Sequence, residues 1–349
     1  MIADVHDWLD LLHPRSKNVD WLSRYYAPAQ LISADRICIT GGASQNLACV
    51  LHVFTDPAQT EIIRLVEPTY HLVFRVFEDA GFSGRMRGIP EDEEGMNVAA
   101  LELALNAFGR SGDSASQNNR KKTYKSYKPY RKIYKHVIYC VPSFSNPSGM
   151  TMSHSRRETL VRVARKYNAL VVADDVYYFL SWGVAHPANP VLRPQLRLVD
   201  VDRVVDDGPK DRFSNVVGNG SFSKLIDPGC QVGWAEATEG FIYGLSRGGS
   251  TRSGGALSQL MLTFINELLE DNFLPEYITN ILIPEGRRRH CVLASAINKH
   301  LSHLGVPFTP APEISPVAGG ILHMGSTPGC IDRDSGVPGS LMNAKSGAG

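Results

Sequence analysis

The feature that most constrains the fold is a series of short, almost wholly apolar segments, each followed by a polar or glycine-rich turn. Residues 136–141 (His-Val-Ile-Tyr-Cys-Val) and 169–173 (Ala-Leu-Val-Val-Ala) are the clearest examples. A strand that is apolar on both faces is typical of a parallel sheet covered by helices on both sides. Helical periodicity follows most of these segments, so the alternation predicts an α/β chain with a mostly parallel, helix-covered sheet. Further strands are predicted at 36–40, 61–66, 216–217 and 232–235.

Length and composition indicate a globular protein without a strong electrostatic preference. The chain has 349 residues, of which 43% are hydrophobic and 20% charged, and its formal net charge is +1. Six widely spaced cysteines include no Cys-x-x-Cys pair, which disfavours a zinc site and a disulfide framework. We therefore predict no metal. No apolar run approaches the roughly 18 residues of a membrane-spanning helix, and the first residues lack a basic-then-apolar leader. A cytoplasmic protein without a membrane or nucleic-acid partner is expected.

Changes in composition and hydrophobic periodicity along the chain predict four regions. Residues 1–30 form an amphipathic, helical N-terminal segment, and residues 31–248 contain the predicted sheet. Long helical patterns and a short apolar strand at 320–324 indicate a smaller, incomplete α+β domain over 249–325. Residues 326–349 are rich in glycine, serine and proline and show no period, which predicts an unstructured tail.

A basic segment interrupts the larger region at 108–135. Between Arg120 and Lys135, lysines and arginines alternate with tyrosines. Such a run could follow a nucleic-acid backbone and stack on bases. In a neutral protein it is more often an exposed loop between two elements, and that is the prediction made here. Nucleic-acid binding stays open as an alternative and would require a salt-dependent affinity that deletion of the loop abolishes.

Polar residues stand where several predicted strands end, which in an open parallel sheet is where ligands bind. The strand at 36–40 runs into Gly41-Gly42, and Ser44 is predicted to cap the helix that follows. Asn146, Asp174 and Lys224 follow three other strands. Between the strands at 136–141 and 169–173, Ser155 is predicted to begin another helix through a capping box with Glu158.

Lys224 has the most unusual surroundings of these residues. Ser221 and Ser223 precede it, and Pro228-Gly229 follows. A lysine framed by small hydroxyl residues favours a Schiff base with the aldehyde of pyridoxal 5'-phosphate (PLP), with the hydroxyls placed at the phosphate. The alternative is a solvated lysine in a Ser/Gly turn.

The other strand-end residues fit the same ligand. Asp174 could keep the pyridine nitrogen protonated, Asn146 and Tyr177 could bond the phenolate oxygen, and Tyr70 could stack on the ring. Each residue alone has a structural explanation: a helix cap for Asp174, a turn for Asn146, core packing for Tyr177. Their joint occurrence in this order favours the ligand. The phosphate is predicted to lie among the amides of a helix start and nearby hydroxyls, at Ala43, Ser44, Ser221 and Ser223.

Segments 146–149, 174–177 and 221–224, together with Pro228-Gly229, resemble the class I/II aminotransferases, which are fold-type I PLP-dependent enzymes. Residues 41–45 and 68–70 are also similar to the branch holding aromatic amino-acid, 2-aminoadipate and kynurenine aminotransferases, and the resemblance extends from about Ile37 to Met324. It implies a three-layer PLP-transferase fold, amino-acid and 2-oxo-acid substrates, and a homodimer with active sites at the interface. It also implies that Lys224 is the Schiff-base lysine and the base that moves the substrate proton.

The chain departs from that family at three places. Gln231 stands seven residues after the lysine, where the family has an arginine that pairs with the cofactor phosphate. Weaker cofactor retention is expected, because a charge-assisted hydrogen bond is about twice as strong as a neutral one. The arginine that binds the substrate carboxylate has no clear counterpart, since Arg333 lacks a strand context. The amino-terminal arm that carries a tyrosine in the family is short or absent before Trp8.

The resemblance stops abruptly at about Gly325. The change to low-complexity sequence indicates a truncated or alternatively spliced product, or a faulty gene model, and sequencing the transcript across the codons for Met324 to Cys330 would reveal it. Two further alternatives remain open: a PLP-dependent carbon–sulfur lyase, and a degenerate PLP-fold protein with weak or no activity that acts by binding or regulation.

Overall fold

The computed structural model describes residues 13–112, 123–183, 196–249, 259–304 and 317–319. Each strand predicted between 36 and 235 is present within these ranges, and three further strands, at 86–92, 95–96 and 181–183, were not predicted. The described strands are β1 (Ile37–Thr40), β2 (Ile62–Glu67), β3 (Met86–Asp92), β4 (Gly95–Met96), β5 (His136–Cys140), β6 (Ala169–Asp174), β7 (Ser181–Gly183), β8 (Val216–Ser221), β9 (Gly233–Glu236) and β10 (Val317–Gly319).

Eight of these strands form one sheet in the order β1-β9-β8-β6-β5-β2-β3-β4. The central pairs β2–β3, β2–β5, β5–β6 and β6–β8 are parallel. Strand β9 runs antiparallel to both β8 and β1, and β4 runs antiparallel to β3. Every residue of β5, β6 and β8 is buried, as expected for strands covered on both faces. The predicted mostly parallel sheet is confirmed.

Helices lie on both faces of the sheet, and alternate strand residues point into two separate cores. Val137 and Leu170 belong to one core, whereas their neighbours Ile138 and Val171 belong to the other. The described helices are α1 (His13–Tyr26), α2 (Ala43–Phe54), α3 (Val73–Phe77), α4 (Val98–Gly112), α5 (His154–Lys166), α6 (Leu198–Val204), α7 (Glu239–Ser246), α8 (Gln259–Glu270), α9 (Phe273–Tyr277) and α10 (Ile283–His300).

The first core packs the sheet against α1, α2, α7 and α8. The second core packs the opposite face against α4, α5 and α6. The sheet is therefore the middle of three layers, and its strand ends are held from both sides.

Three local predictions are wrong. Helix α2 begins at Ala43, with Gly42 as its N-cap at φ +97° and no side-chain cap, so Ser44 lies inside the first turn instead of capping it. Helix α5 is capped by Ser153, whose hydroxyl accepts from Arg156 N at 3.3 Å, and not by Ser155. Helix α4 continues to Gly112, so the loop predicted from 108 begins later.

The remaining predictions fall partly outside the described residues. The predicted strand at 320–324 and the predicted tail at 326–349 lie there, whereas β10 pairs with β7 in a separate antiparallel ribbon. Helices α8 to α10 occur where long helices are predicted, and residues 123–135 contain neither helix nor strand. The four-region division stays a prediction.

Candidate active site

A cavity of about 450 Å³ lies at the carboxyl ends of β1, β5, β6 and β8. It is at this edge because parallel strands deliver the residues that follow them to the same side of the sheet. All of the predicted site residues line it: Ala43, Ser44, Tyr70, Asn146, Asp174, Tyr177, Ser221, Ser223, Lys224 and Gln231.

Lys224 ends a short 3-10 turn directly after β8. Ser221 begins the turn and accepts a hydrogen bond from Ser223 N at 3.1 Å, and its hydroxyl lies 3.0 Å from that of Ser223. This local network fixes the direction in which the chain leaves the sheet. The half-buried Lys224 ammonium lies 5.9 Å from the ring centroid of Tyr177.

Gly220, in β8, allows the strand to pass close to an indole ring. A Cβ atom at Gly220 would lie 2.1 Å from a ring carbon of Trp234 on the neighbouring strand β9. A side chain at that distance would force the indole ring or the strand to move. The glycine therefore sets the separation of the two strands just before the lysine turn.

Asp174 is the buried acid of the cavity. Its Oδ2 accepts a hydrogen bond from Tyr139 Oη at 2.6 Å, and its Oδ1 has no hydrogen-bond partner among the described residues. Burial raises the pKa of Asp174 to about 6, although the Tyr139 hydroxyl and the positive charge of Lys224 act in the opposite direction. A buried carboxylate oxygen with no partner is suited to a positively charged N–H donor from a ligand.

Asn146 and Tyr177 lie side by side on another wall of the cavity. The Asn146 Nδ2 donates to Tyr177 Oη at 3.3 Å. Burial raises the pKa of the Tyr177 phenol, which keeps it protonated and able to donate. An amide N–H and a phenol O–H next to each other can hold one ligand oxygen between them.

The amino end of α2 supplies an anion cradle. The amides of Ala43, Ser44 and Gln45 have no carbonyl partner within the helix, and the helix dipole adds partial positive charge there. The hydroxyls of Ser221 and Ser223 line the same cavity. Unpaired amides at a helix start are a common phosphate site.

Gln231 lies at the cavity edge with an exposed side chain. Its backbone is left-handed at φ +48°, and its Nε2 donates to Pro228 O at 2.9 Å. Lys224 is the one cationic side chain among the described residues that line the cavity. Among the described residues that line the cavity, no arginine is available to pair with an anion bound at the start of α2.

Two residues of the site were missed in the sequence. Tyr139 bonds Asp174, but it lies within an apolar strand and looks like a core residue. Asn219 in β8 accepts from Asn46 Nδ2 at 2.8 Å and donates to Ala43 O at 3.1 Å, which ties the start of α2 to the sheet. A buried asparagine in an otherwise apolar or glycine-rich strand was the available signal for the second.

The described part of the basic segment is bound to the rest of the protein. The Lys125 ammonium donates to carbonyls at the end of α2, among them that of Leu51 at 3.4 Å. Lys132 pairs with Asp211 at 2.7 Å and Lys135 with Glu61 at 3.4 Å. These contacts use charges that a nucleic-acid backbone would need.

Within the described ranges, no helix is both long and apolar enough to cross a membrane. The same ranges contain no cluster of three or more His, Cys, Asp or Glu side chains that could hold a metal ion.

The layered sheet, with a lysine turn after β8 and an acid at the end of β6, is the PLP-transferase fold of aminotransferases. A sequence profile of the aminotransferase class I and II family matches residues 19–297. The chain belongs to that family.

The chain is 34% identical over 290 residues to the uncharacterized protein YER152C of Saccharomyces cerevisiae, a match that covers 82% of this chain and 63% of the yeast protein. It is 29% identical over 224 residues to aromatic-amino-acid aminotransferase 1 of Thermococcus litoralis, covering 64% of this chain and 43% of that protein. The chain therefore spans less than two thirds of the length of either relative.

A solved structure of Pyrococcus horikoshii kynurenine aminotransferase is similar with a TM-score of 0.63 and 25% identity, over 85% of this chain and 62% of that one. An archaeal alanine:glyoxylate aminotransferase is similar with a TM-score of 0.65 and 22% identity, over 86% of this chain and 66% of that one. The second similarity concerns the fold alone.

Proposed function

We propose that the protein binds PLP at Lys224 and transfers an amino group between an amino acid and a 2-oxo acid. The observation that carries this proposal is the Oδ1 of buried Asp174, which has no hydrogen-bond partner in the described part of the chain and lies in the same cavity as the Lys224 amine. When bound, PLP supplies an electron sink for the pair left on a substrate α-carbon that loses its proton.

The residues present fit this cofactor. Asp174 has an oxygen that no described residue occupies and that could accept a pyridinium N–H, and Asn146 with Tyr177 can hold the ring oxygen. Tyr70 borders the space where a ring would lie. The phosphate would be held by backbone amides, hydroxyls and one neutral side chain, at Ala43, Ser44, Ser221, Ser223 and Gln231.

Each side chain then has a definite task. Lys224 would provide the amine that holds the cofactor aldehyde, and as a free amine it would take and return the proton of the substrate α-carbon. Tyr139 donates to Asp174 and so favours the carboxylate over the neutral acid. Apolar side chains such as Leu47, Val141 and Val176 line the cavity and limit water around the reacting carbon.

The reaction is tested by mixing the PLP-loaded protein with single amino acids and following both the visible spectrum and the 2-oxo acid released. The names of the relatives make aromatic amino acids and kynurenine the first donors to try. Without an acceptor, we expect each site to release one molecule of 2-oxo acid. When an acceptor 2-oxo acid is added, we expect continued turnover. A loaded protein that yields ammonia instead of an aminated cofactor would identify a lyase and refute the transfer.

We also propose a homodimer, as the family implies, and a cytoplasmic location. Sedimentation of the purified chain at several concentrations tests the dimer, and a concentration-independent monomer would contradict it. The truncated-product and degenerate-protein hypotheses stay predictions.

A further inference from the structure

The loop of residues 142–152 carries Asn146 from the end of β5 to the start of α5. The loop folds back on itself: Met152 N donates to Pro142 O at 2.8 Å, and Ser145 N donates to Met150 O at 2.8 Å. These bonds bring its two ends together. They do not by themselves fix the loop to the helix beneath it.

The guanidinium of Arg157, in the first turns of α5, makes that attachment. Its Nε donates to Met152 O at 3.0 Å, and its Nη2 donates to Pro142 O and to Ser143 Oγ, both at 2.9 Å. Its Nη1 donates to Leu196 O at 3.2 Å. One side chain therefore holds both ends of the loop and anchors them to a further segment.

No ion pair with a residue in the described ranges explains the charge of Arg157. The side chain is fully buried, and all four of its hydrogen bonds go to neutral oxygens. Asp175 stabilises the charge from a greater distance, and neither carboxylate oxygen of Asp175 has a hydrogen-bond partner among the described residues. Burying a charge in this way costs free energy that an apolar side chain would not. The planar fork of arginine can, however, bind several acceptors in a fixed arrangement.

We propose that Arg157 is a positioning residue for the candidate active site, which it serves by holding loop 142–152 so that Asn146 reaches the hydroxyl of Tyr177. The separation of 3.3 Å between the Asn146 amide and that hydroxyl is near the limit of a hydrogen bond. A small displacement of the loop separates the two groups and removes a donor from the ring oxygen of the cofactor. This consequence rests on the proposed function, whereas the attachment of the loop does not.

The variant that tests this proposal is Arg157→Lys, which keeps the charge but cannot reach all four acceptors. Arg156→Lys is its matched control. Arg156 is the adjacent arginine of α5 and also makes several hydrogen bonds, but to Asp92, Glu94 and Met96 O around β3 and β4.

The first measurement is hydrogen–deuterium exchange of the protein without PLP. In Arg157→Lys the amides of loop 142–152 should exchange about tenfold faster, because the loop opens locally. Arg156→Lys should leave them unchanged. Exchange at the wild-type rate in a folded Arg157→Lys protein would overturn the attachment.

The second measurement is the pH midpoint of the visible band of the PLP-loaded protein. Arg157→Lys should move it by about half to one pH unit, in the same direction as Asn146→Ala, as expected for the loss of one hydrogen bond. In a protein that already carries Asn146→Ala, Arg157→Lys should cause no further shift of the pH midpoint. If Arg157→Lys does not fold, Ser143→Ala removes one acceptor and should give a smaller change of the same sign.

The outcomes separate the two proposals. A normal midpoint in Arg157→Lys, or in Ser143→Ala where the lysine variant does not fold, refutes the positioning role while PLP binding stands. A wild-type protein without any band refutes the proposed function, and the exchange result alone then decides whether Arg157 holds the loop.

Discussion

Replacing Asp174 with asparagine should stabilise the PLP-free protein, and it should do so only above a defined pH. Burial raises the pKa of Asp174 from 3.8 to about 6 in the folded protein. Between these values the folded state keeps a proton that the unfolded state has lost, so the free energy of unfolding falls as the pH rises. Well below pH 3.8 both states are protonated and this cost is absent.

The magnitude follows from the size of that rise. A change of roughly two pH units at about 1.4 kcal/mol each corresponds to about 3 kcal/mol by neutral pH. Asparagine has nearly the same shape, can still accept from Tyr139 through its amide oxygen, and carries no charge. The advantage of Asp174→Asn over the wild type should therefore grow by about 2 to 3 kcal/mol between pH 4 and pH 7.

Urea denaturation of both proteins, without PLP, at intervals from pH 4 to pH 8 measures this difference. Asp175, whose pKa burial raises to about 7, titrates in an overlapping range. The charge of Asp174 contributes to that rise, so Asp174→Asn also lowers the pKa of Asp175 and adds to the difference in the same direction. With PLP added, the order should reverse, because Asp174→Asn loses its charged partner for the ring nitrogen. Parallel pH profiles for the two proteins without PLP would refute the reasoning.

Two further substitutions test the surroundings of the lysine. Gln231→Arg should lower the PLP dissociation constant roughly 5- to 30-fold in an absorbance titration, since a bond to a charged group is worth about 1 to 2 kcal/mol more than a neutral one; an unchanged constant would show that residue 231 does not reach the phosphate. Gly220→Ala should lower the free energy of unfolding by about 1 to 3 kcal/mol, because its Cβ would lie 2.1 Å from Trp234. Gly249→Ala, whose Cβ meets no described atom within 4 Å, is the control, and equal effects would contradict this account.

The sequence predicted the sheet and most of the site because both depend on local patterns. Strands such as 136–141 are recognisable from their apolar residues, and their carboxyl ends locate Asn146, Asp174 and Lys224. The parallel arrangement then brings these distant residues into one cavity. No knowledge of individual side-chain contacts was needed for that step.

Residues whose role depends on a contact across the fold could not be predicted in the same way. Tyr139 resembles its apolar neighbours until β5 pairs with β6 and places its hydroxyl at Asp174. Arg157 lies between the residues of the predicted capping box, Ser155 and Glu158, and nothing in that pattern indicates that it is fully buried against loop 142–152. At the start of α2, Gly41 and Gly42 are adjacent and either can adopt the N-cap conformation, so the sequence did not show that Gly42 would be the N-cap.

The most direct test of the central claim is the visible spectrum of the purified protein with PLP. Attachment of the cofactor to Lys224 predicts an absorption band near the violet edge that borohydride bleaches, with the reduced label recovered on the peptide containing Lys224. Lys224→Ala should show no such band at any PLP concentration. A wild-type protein without the band at saturating PLP, or a Lys224→Ala protein that retains it, would contradict the account.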